Sequence, residues 1–193
     1  MNPFEIEHVK PLAGRTLVVG SKLHGPHRDY RKNFPEAVGI DIEAGEGVDF
    51  VHDLEQPLNM GRFAHVVCHS VMEHVQRPWL MAENIENLLE DSGTIYLSVP
   101  WAWRFHSYPN DYWRISHEGL KVIFPRIEWK QYLYELSDGG PYPKKLKKGL
   151  THGNIKYLPR SMLHAFGVKR AVSESKTLPS SGDGQSIKQG ATS

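Results

Sequence analysis

The chain has 193 residues, of which 39% are hydrophobic and 23% are charged, and its formal net charge at pH 7 is +1. This length and composition fit one globular domain with a sizeable core and exclude a largely disordered chain. A charge so close to neutral gives no global reason to expect nucleic acid or a membrane surface as a partner.

Two further features bear on the compartment. No segment approaches the ~20 apolar residues of a membrane span, and the amino terminus lacks the apolar region of a signal peptide. The single cysteine, Cys68, can form no internal disulfide, and we interpret it as a small buried hydrophobic residue in a reducing compartment. We therefore expect a soluble, cytoplasmic protein.

Strand-like and helix-like runs alternate along the chain, a pattern typical of a mainly parallel sheet covered by helices on both faces. We predict a Rossmann-like, open α/β sheet in a single domain of residues 1–170. The predicted strands are short apolar runs at residues 16–19, 37–41, 48–51, 64–68, 94–99 and 127–136. Residues 171–193 are rich in Ser, Gly, Lys and Gln without an aromatic residue, which predicts a disordered tail.

Two helices are predicted between these strands. In residues 78–90, Pro78 suits the first helical position, apolar residues recur at helical spacing, and Gly93 follows the end. A second helix begins near Ser116 and is stopped by Pro125. The segment after residues 139–141 shows no clear pattern, and we assign no element to it.

The most informative residues follow the first two predicted strands. Gly20 leaves the first strand, where the missing Cβ allows a tight turn close to a ligand, although many such turns contain a glycine for geometric reasons alone. Asp41 ends the second strand about 20 residues later, where a carboxylate can accept both hydroxyls of an adenosine ribose. The alternative for Asp41 is a capping or turn aspartate. The three-glycine dinucleotide fingerprint is absent, which disfavours NAD.

Polar residues also follow the third and fourth predicted strands. Asp53 could accept a hydrogen bond from an adenine amine while Leu54 supplies an apolar contact, but aspartate also caps turns at such positions. His69, Ser70 and His74 lie at the carboxyl edge of the sheet, where open α/β folds bind ligands. An imidazole accepts protons near neutral pH, so His74 is a candidate base, with packing beside the next helix as the alternative.

Other clusters carry less information. His65, His69 and His74 do not have the helical spacing of a metal-binding pair, and no Cys or carboxylate completes a zinc-like set, so we expect no metal site. The lysines of residues 144–148 fit a solvated loop better than a nucleic-acid footprint, and no nucleic-acid partner is expected.

Taken together, these motifs resemble class I S-adenosylmethionine-dependent methyltransferases, especially the small type 11 group, over residues 15–124. The similar segments are residues 17–25 (first motif), 38–41 (acidic second motif), 52–54 (adenine-contacting third motif), 70–75 ("S-x-x-E-H-V") and 88–100 ("L-L-x-x-G-G-x-L-x-x-x-V-P"). The chain departs from the family in the first motif, where Lys22 replaces a second glycine.

The resemblance implies that S-adenosyl-L-methionine is the cofactor and that its methyl group passes to an O or N nucleophile of a small-molecule or glycan-linked acceptor. The cofactor-binding residues it implies are Gly20, Asp41, Asp53, Leu54, His69 and Ser70. Catalysis would rest mostly on alignment and exclusion of water, because the sulfonium is already activated. A base is needed only for a hydroxyl or a protonated amine, with His74 as the first candidate and His106 as the second.

Residues 105–114 follow the fifth predicted strand and are dense in aromatic and polar groups. They resemble the "H-x-Y-P-x-D-Y-W-R" stretch of some type 11 methyltransferases that act on small or glycan-linked acceptors. One interpretation is an acceptor pocket that contains Tyr108, Asp111, Tyr112 and Arg114. The other is a structural latch in which Asp111 pairs with Arg114 and the aromatic residues close the core.

Two other classes of function remain. A non-catalytic module could keep this fold and act as a binding or scaffold protein, which the altered glycine turn and the short substrate-capping region favour. An oxidoreductase that uses NAD is disfavoured by the glycine pattern. Fold alone does not separate these functions, and the sequence does not predict the oligomeric state.

Overall fold

The computed structural model describes residues 2–24, 29–106, 109–136 and 161–171. The helices in these residues are α1 (Pro3–His8), α2 (Pro78–Leu88) and α3 (His117–Ile123), with short 3-10 helices at Tyr30–Asn33 and Met72–His74. The strands are β1 (Thr16–Val19), β2 (Ala37–Asp41), β3 (Phe50–Val51), β4 (Phe63–His69), β5 (Leu89–Ala102), β6 (Ile127–Leu136) and β7 (Ser161–Lys169). None of the described helices is long and apolar enough to cross a membrane.

The described strands form one sheet in the order β3-β2-β1-β4-β5-β7-β6. The pairs from β3 to β5 are parallel, whereas β7 is antiparallel to both β5 and β6. This arrangement confirms the predicted Rossmann-like, mostly parallel sheet. β2 and β3 lie on one side of β1, and β4 and the later strands lie on its other side, so the direction in which strands are added reverses between β1 and β4. Open sheets bind ligands beside the carboxyl ends of the strands at such a reversal.

Buried side chains alternate between the two faces of the central strands, as the two-residue period of a strand requires. On one face, Leu17 and Val66 belong to the core cluster that includes α2 and α3. On the other face, Val18 and Val67 pack with Tyr30 of the first 3-10 helix. Phe4 of α1 packs on this second cluster. Helical segments therefore cover both faces, as the alternating sequence pattern predicts.

Helix α2 illustrates how local sequence and packing agree. Pro78 occupies its first turn, and Met81, Ile85 and Leu88 are all buried on one side, since residues three and four apart share a helix face. The helix ends at Leu88 because Leu89 is already extended and begins β5. The predicted helix at residues 78–90 is thus confirmed, two residues shorter at its end.

The second predicted helix is also confirmed. Its start is fixed by Ser116, whose hydroxyl oxygen accepts a hydrogen bond from the Gly119 amide at 3.0 Å. Its end precedes Pro125, which cannot donate the next helical hydrogen bond.

The predicted strands at residues 16–19, 37–41 and 127–136 match β1, β2 and β6. β4 extends the predicted strand at residues 64–68 by one residue at each end. The predicted strand at residues 48–51 is wrong in its first half. Gly47 has a φ of +92°, and the Val48 amide donates to the Gly45 carbonyl, so the chain is still turning there.

Strand β5 is longer than the predicted strand at residues 94–99 at both ends: Pro100 and Ala102 pair with β7, and Leu89 pairs with Phe63 of β4. Neither α1 nor β7 was predicted from the sequence. The predicted disorder of residues 171–193 falls almost entirely outside the described residues, as do the lysines of residues 144–148.

Candidate functional site

A cavity of about 400 Å³ opens at the carboxyl ends of β1, β2 and β4. We call it the first cavity. Its lining includes five of the six residues predicted to bind the cofactor: Gly20, Asp41, Asp53, Leu54 and Ser70. The sixth, His69, lies outside this lining, and its Nδ1 atom lies 3.1 Å from the hydroxyl oxygen of Tyr30.

Gly20 makes the turn that opens the first cavity. Its φ is +70°, in the left-handed region where a side chain is strained, and an added Cβ would collide with the side chain of Val71. Its amide donates to the Ile40 carbonyl at 2.9 Å, which joins the turn to the end of β2. Both the backbone conformation and the close packing therefore require glycine at this position.

Asp41 is oriented by two backbone amides. One carboxylate oxygen accepts from the Lys22 amide at 3.0 Å, and the other accepts from the Glu43 amide at 3.1 Å. Each carboxylate oxygen can accept more than one hydrogen bond, so the group keeps capacity for ligand hydroxyls. The carboxylate is held in place before any ligand arrives.

The substitution of lysine for the second motif glycine is accommodated in this turn. The interaction with Asp41 uses the peptide nitrogen of Lys22, which every residue except proline offers. The lysine side chain extends past Gly45 and pairs with the half-exposed carboxylate of Glu43. The departure from the family pattern therefore leaves the Asp41 contact intact.

Asp53 and Leu54 both make structural contacts and line the first cavity. Asp53 caps a turn, since its Oδ1 atom accepts from the Glu55 amide at 2.8 Å, and it also lines the first cavity. Leu54 is buried in the main core and forms part of the cavity wall. A structural contact does not prevent either residue from facing a ligand.

A second cavity of about 810 Å³ lies on the other side of the Gly20 turn. Its lining includes Tyr30, His69 and Glu73. Five residues line both cavities: Val19, Gly20, His24, Ser70 and His106. The two cavities therefore meet at these residues, and two molecules can lie side by side there.

Three acid and base groups come together at this junction. Glu73 and His74 lie in the second 3-10 helix, and His106 follows β5. The potential metal-binding atoms of the three side chains lie within 4.8 Å of one another. The Nε2 atom of His74 is 3.7 Å from Oε1 of Glu73, and the two imidazole rings meet edge to face with centroids 5.1 Å apart.

Glu73 is the most unusual of these groups. Its side chain is 1% exposed, and within the described residues neither carboxylate oxygen has a hydrogen-bond partner. Burial, the largest influence, raises the pKa of Glu73 to about 8, and the negative charge of Asp111 acts in the same direction. The Glu73 backbone amide and the positive charge of Arg114 lower this pKa, with smaller effect.

Asp111 and Arg114 form the pair that the latch interpretation predicts. Asp111 accepts two hydrogen bonds from the Arg114 guanidinium, at 2.5 and 2.7 Å. Its Oδ2 atom also accepts from the His106 amide at 2.8 Å and lies 3.1 Å from Nδ1 of the same histidine. The hydrogen bonds from Arg114 hold the pKa of Asp111 well below its usual range. The pair thus positions His106.

The described residues among the predicted acceptor-binding set are not part of the two cavity linings. Asp111, Tyr112 and Arg114 line neither cavity, and Tyr108 lies outside the described residues. Their role in binding an acceptor stays a prediction.

Residues 110–113 are bound to the second 3-10 helix mainly through backbone groups. The Tyr112 amide donates to the Glu73 carbonyl at 2.7 Å, and the Trp113 indole donates to the Val75 carbonyl at 2.8 Å. These contacts help to hold the loop that carries His106 and Asp111 against Glu73. Glu73 was not predicted as a site residue, because its only signal in the sequence is the acidic position of the "S-x-x-E-H-V" segment.

Solved structures similar to this one cover most of its length. The N-methyltransferase NodS from Bradyrhizobium japonicum WM9, in complex with S-adenosylhomocysteine, matches with a TM-score of 0.52 and 11% identity over 87% of this chain and 88% of its own. A 1,6-didemethyltoxoflavin N1-methyltransferase from Burkholderia thailandensis matches with a TM-score of 0.57 and 13% identity over 86% of this chain and 75% of its own. The chain has the class I methyltransferase fold.

A third match with this methyltransferase fold is the YcgJ protein from Bacillus subtilis, with a TM-score of 0.58 and 13% identity over 87% of this chain and 97% of its own. No family model matches the sequence, and neither does any curated protein. At such low identities the likeness establishes the fold, and the chemistry must be argued from the residues of the two cavities.

Proposed function

We propose that this protein is an S-adenosylmethionine-dependent methyltransferase that binds the cofactor in the first cavity and an acceptor in the second. The observation that carries the proposal is the meeting of two cavities at Gly20, Ser70 and His106, with the Asp41 carboxylate in the lining of the first cavity and held there by the Lys22 amide. The similar NodS and toxoflavin enzymes were solved with S-adenosylhomocysteine, which supports the choice of cofactor.

The residues of the first cavity fit the parts of this cofactor. Asp41 offers two oriented acceptors to the ribose hydroxyls. Asp53 and Leu54 supply a polar and an apolar contact for the adenine. Gly20 lines the first cavity with backbone alone, at a φ of +70°, so the methionine end can approach the backbone there. His69, which lines the second cavity, would contact the acceptor side of the cofactor.

When bound, S-adenosylmethionine supplies a methyl group activated by its positively charged sulfur. The protein must then align the acceptor atom with the methyl carbon and sulfur and exclude water. We propose an O or N nucleophile of a small-molecule or glycan-linked acceptor in the second cavity. For a hydroxyl or protonated amine, His74 is the first candidate to remove the proton and His106 the second, because both line the first cavity at the junction.

Calorimetric titration of S-adenosylmethionine and S-adenosylhomocysteine tests the cofactor site. We expect micromolar affinity, about −8 kcal/mol, for the wild-type protein. Asp41→Asn should weaken binding about tenfold or more, since it removes the negative charge that accepts the ribose hydroxyls. The matched control is Asp91→Asn in the first part of β5, where Asp91 pairs with Lys169 at 3.2 Å and lines neither cavity.

The control variant should bind like the wild type. A folded wild-type protein that binds neither compound would overturn the proposal and favour a non-catalytic binding or scaffold module. Equal weakening by both substitutions would show that Asp41 acts through general stability instead of through the ribose.

A further inference from the structure

The cluster of Glu73, His74 and His106 offers a donor set that divalent transition metals bind. One carboxylate and two imidazoles are the protein ligands of several catalytic zinc sites, at metal–ligand distances of about 2.0–2.2 Å. In a tetrahedral site, two such ligands lie roughly 3.4 Å apart. The 3.7 Å between His74 Nε2 and Glu73 Oε1 is close to this value, and the potential ligand atoms of all three side chains lie within 4.8 Å of one another.

The outer nitrogens of both histidines face acceptors. Nδ1 of His74 contacts the carbonyl of Asn110, and Nδ1 of His106 lies 3.1 Å from the Asp111 carboxylate. An acceptor at Nδ1 keeps the hydrogen there and leaves the lone pair on Nε2. Metal-bound histidines are held in the same way, by a backbone carbonyl or a carboxylate behind the ring.

Glu73 supplies the second, independent observation. Its carboxylate is 1% exposed and lacks a hydrogen-bond partner among the described residues, and it also lines the second cavity. A buried acid without a hydrogen-bond partner destabilises a fold. A bound cation would satisfy both carboxylate oxygens and remove this penalty.

The charges around the cluster are compatible with a cation. Asp111 is the nearby acid that raises the pKa of Glu73, and its own charge is balanced by the two hydrogen bonds from Arg114. Arg114 donates to the carbonyls of Trp103 and Arg104 as well, so its guanidinium is fixed in the latch instead of pairing with Glu73.

From this geometry we infer that Glu73, His74 and His106 bind one divalent transition-metal ion, best matched by Zn²⁺, at the junction of the two cavities. Three protein ligands leave at least one position of a tetrahedral ion open, as in catalytic zinc sites. His74 lines the first cavity, Glu73 the second and His106 both, so the ion lies between the proposed cofactor and acceptor.

The role of the ion rests on the proposed function. An acceptor hydroxyl bound at the open position would lose its proton to solvent more readily, because a bound cation lowers the pKa of an oxygen ligand. The oxygen would then form a bond to the methyl carbon while the carbon–sulfur bond breaks, leaving S-adenosylhomocysteine. His74 and His106 would act as ligands in this state, and the direct base role would no longer be needed. The inference therefore favours a hydroxyl-bearing acceptor.

Calorimetric titration of Zn²⁺ into the full-length protein, freed of metal by a chelator, tests the site without any methyl transfer. The variants are Glu73→Gln and His106→Gln. The matched control is His65→Gln, because His65 lies on β4 and contacts Thr94 and Ala13 away from the cluster. Thermal unfolding with and without Zn²⁺ is recorded for each protein, since a ligand that binds the native state raises its Tm.

We expect one tight Zn²⁺ site in the wild type and in the control, and an affinity at least a hundredfold weaker in both cluster variants. Zn²⁺ should raise the Tm of the first two proteins and leave the Tm of the cluster variants unchanged. A wild type without a tight site, or variants that bind Zn²⁺ as well as the control, would overturn the inference.

The two proposals can fail separately. Binding of S-adenosylmethionine without a tight Zn²⁺ site would leave the proposed function standing and remove the metal. A Zn²⁺ site that depends on Glu73, in a protein that binds no S-adenosylmethionine, would keep the metal site and refute methyl transfer. Glu73 and His106 lie in different segments of the chain. If one of the two variants fails to fold, the other still tests the metal site.

Discussion

Two glutamates show how differently this fold treats the same buried side chain. Glu86 on α2 and Glu73 in the second 3-10 helix are each 1% exposed. Glu86 accepts from the backbone amide of Arg126 at 2.7 Å and from its guanidinium at 2.9 Å. Glu73 has no such partner among the described residues. Burial alone therefore does not mark a functional acid, and the lack of a hydrogen-bond partner is what separates Glu73 from Glu86.

The surroundings explain this difference. Arg126 lies between α3 and β6, so its contact with Glu86 fastens α2 to the connection between those elements. Glu73 instead lines the second cavity beside two histidines. A ligand can satisfy Glu73, but it cannot reach Glu86. Glu86 therefore stabilises the native state, whereas Glu73 destabilises it until a ligand binds.

Substitution of Glu73 by Gln should give the largest effect, measured as the change in relative stability with pH. The pKa of Glu73 rises from its ordinary value of 4.5 in the unfolded chain to about 8 in the fold. Below pH 4.5 both states hold the proton, so wild type and variant do not differ for electrostatic reasons. At higher pH the unfolded state releases a proton that the folded state keeps, which favours unfolding of the wild type.

The wild type should therefore lose about 1.4 kcal/mol of stability against Glu73→Gln for each pH unit, until the folded group itself ionises. Urea unfolding of the two metal-free proteins across this range measures the difference. If the free energies of unfolding of the two proteins changed equally with pH, Glu73 would have an ordinary pKa and burial would not raise it.

Substitution of Glu86, whose carboxylate is hydrogen-bonded, should have a smaller effect on stability, which can be measured at a single pH. Glu86→Ala deprives Arg126 of two hydrogen bonds and should lower the free energy of unfolding by about 2–3 kcal/mol. The control is Glu83→Ala, an exposed position on the same helix, where the change should stay within about 0.5 kcal/mol. Equal losses at the two positions would show that helix propensity, and not the contact with Arg126, is responsible.

A carboxylate outside the core completes the series with the smallest effect. Glu43 is 51% exposed and pairs with Lys22. Lys22→Ala removes this pair and should change stability only slightly, because water screens the exposed Glu43 carboxylate. Affinity for S-adenosylmethionine should stay within about twofold, since the Lys22 peptide nitrogen still holds Asp41. A tenfold loss in the titration would show that the lysine side chain itself contributes to the site.

The cofactor side of the molecule was predictable because its signals are local. Gly20 follows the end of β1 and Asp41 ends β2, as predicted from the sequence. Both residues line the first cavity. The turn chemistry of Asp53 was likewise visible in its immediate neighbours. Strand period, turn glycine and terminal carboxylate are all encoded within a few residues of each other.

The acceptor side was not predictable in the same way. Glu73 and His106 meet because residues 110–113 bind the second 3-10 helix, partly through backbone groups such as the Tyr112 amide. Backbone hydrogen bonds leave no side-chain signature in the sequence. Histidine spacing along β4 gave no metal set, whereas the set proposed above, Glu73, His74 and His106, comes from separate segments. β7 escaped prediction for a related reason, because its partners β5 and β6 lie far from it along the chain.

The position of β7 has a consequence for folding of the chain during its synthesis. β7 lies between β5 and β6, although it follows both along the chain. During synthesis on the ribosome, β5 and β6 emerge before residues 161–169. The two strands have no contact through the sheet until β7 inserts between them and pairs with both. Both strands then present unpaired edges, the kind of surface that chaperones shield and that drives misassembly. Completion of the sheet is therefore a late event, and a nascent chain interrupted before residue 161 would be prone to aggregate.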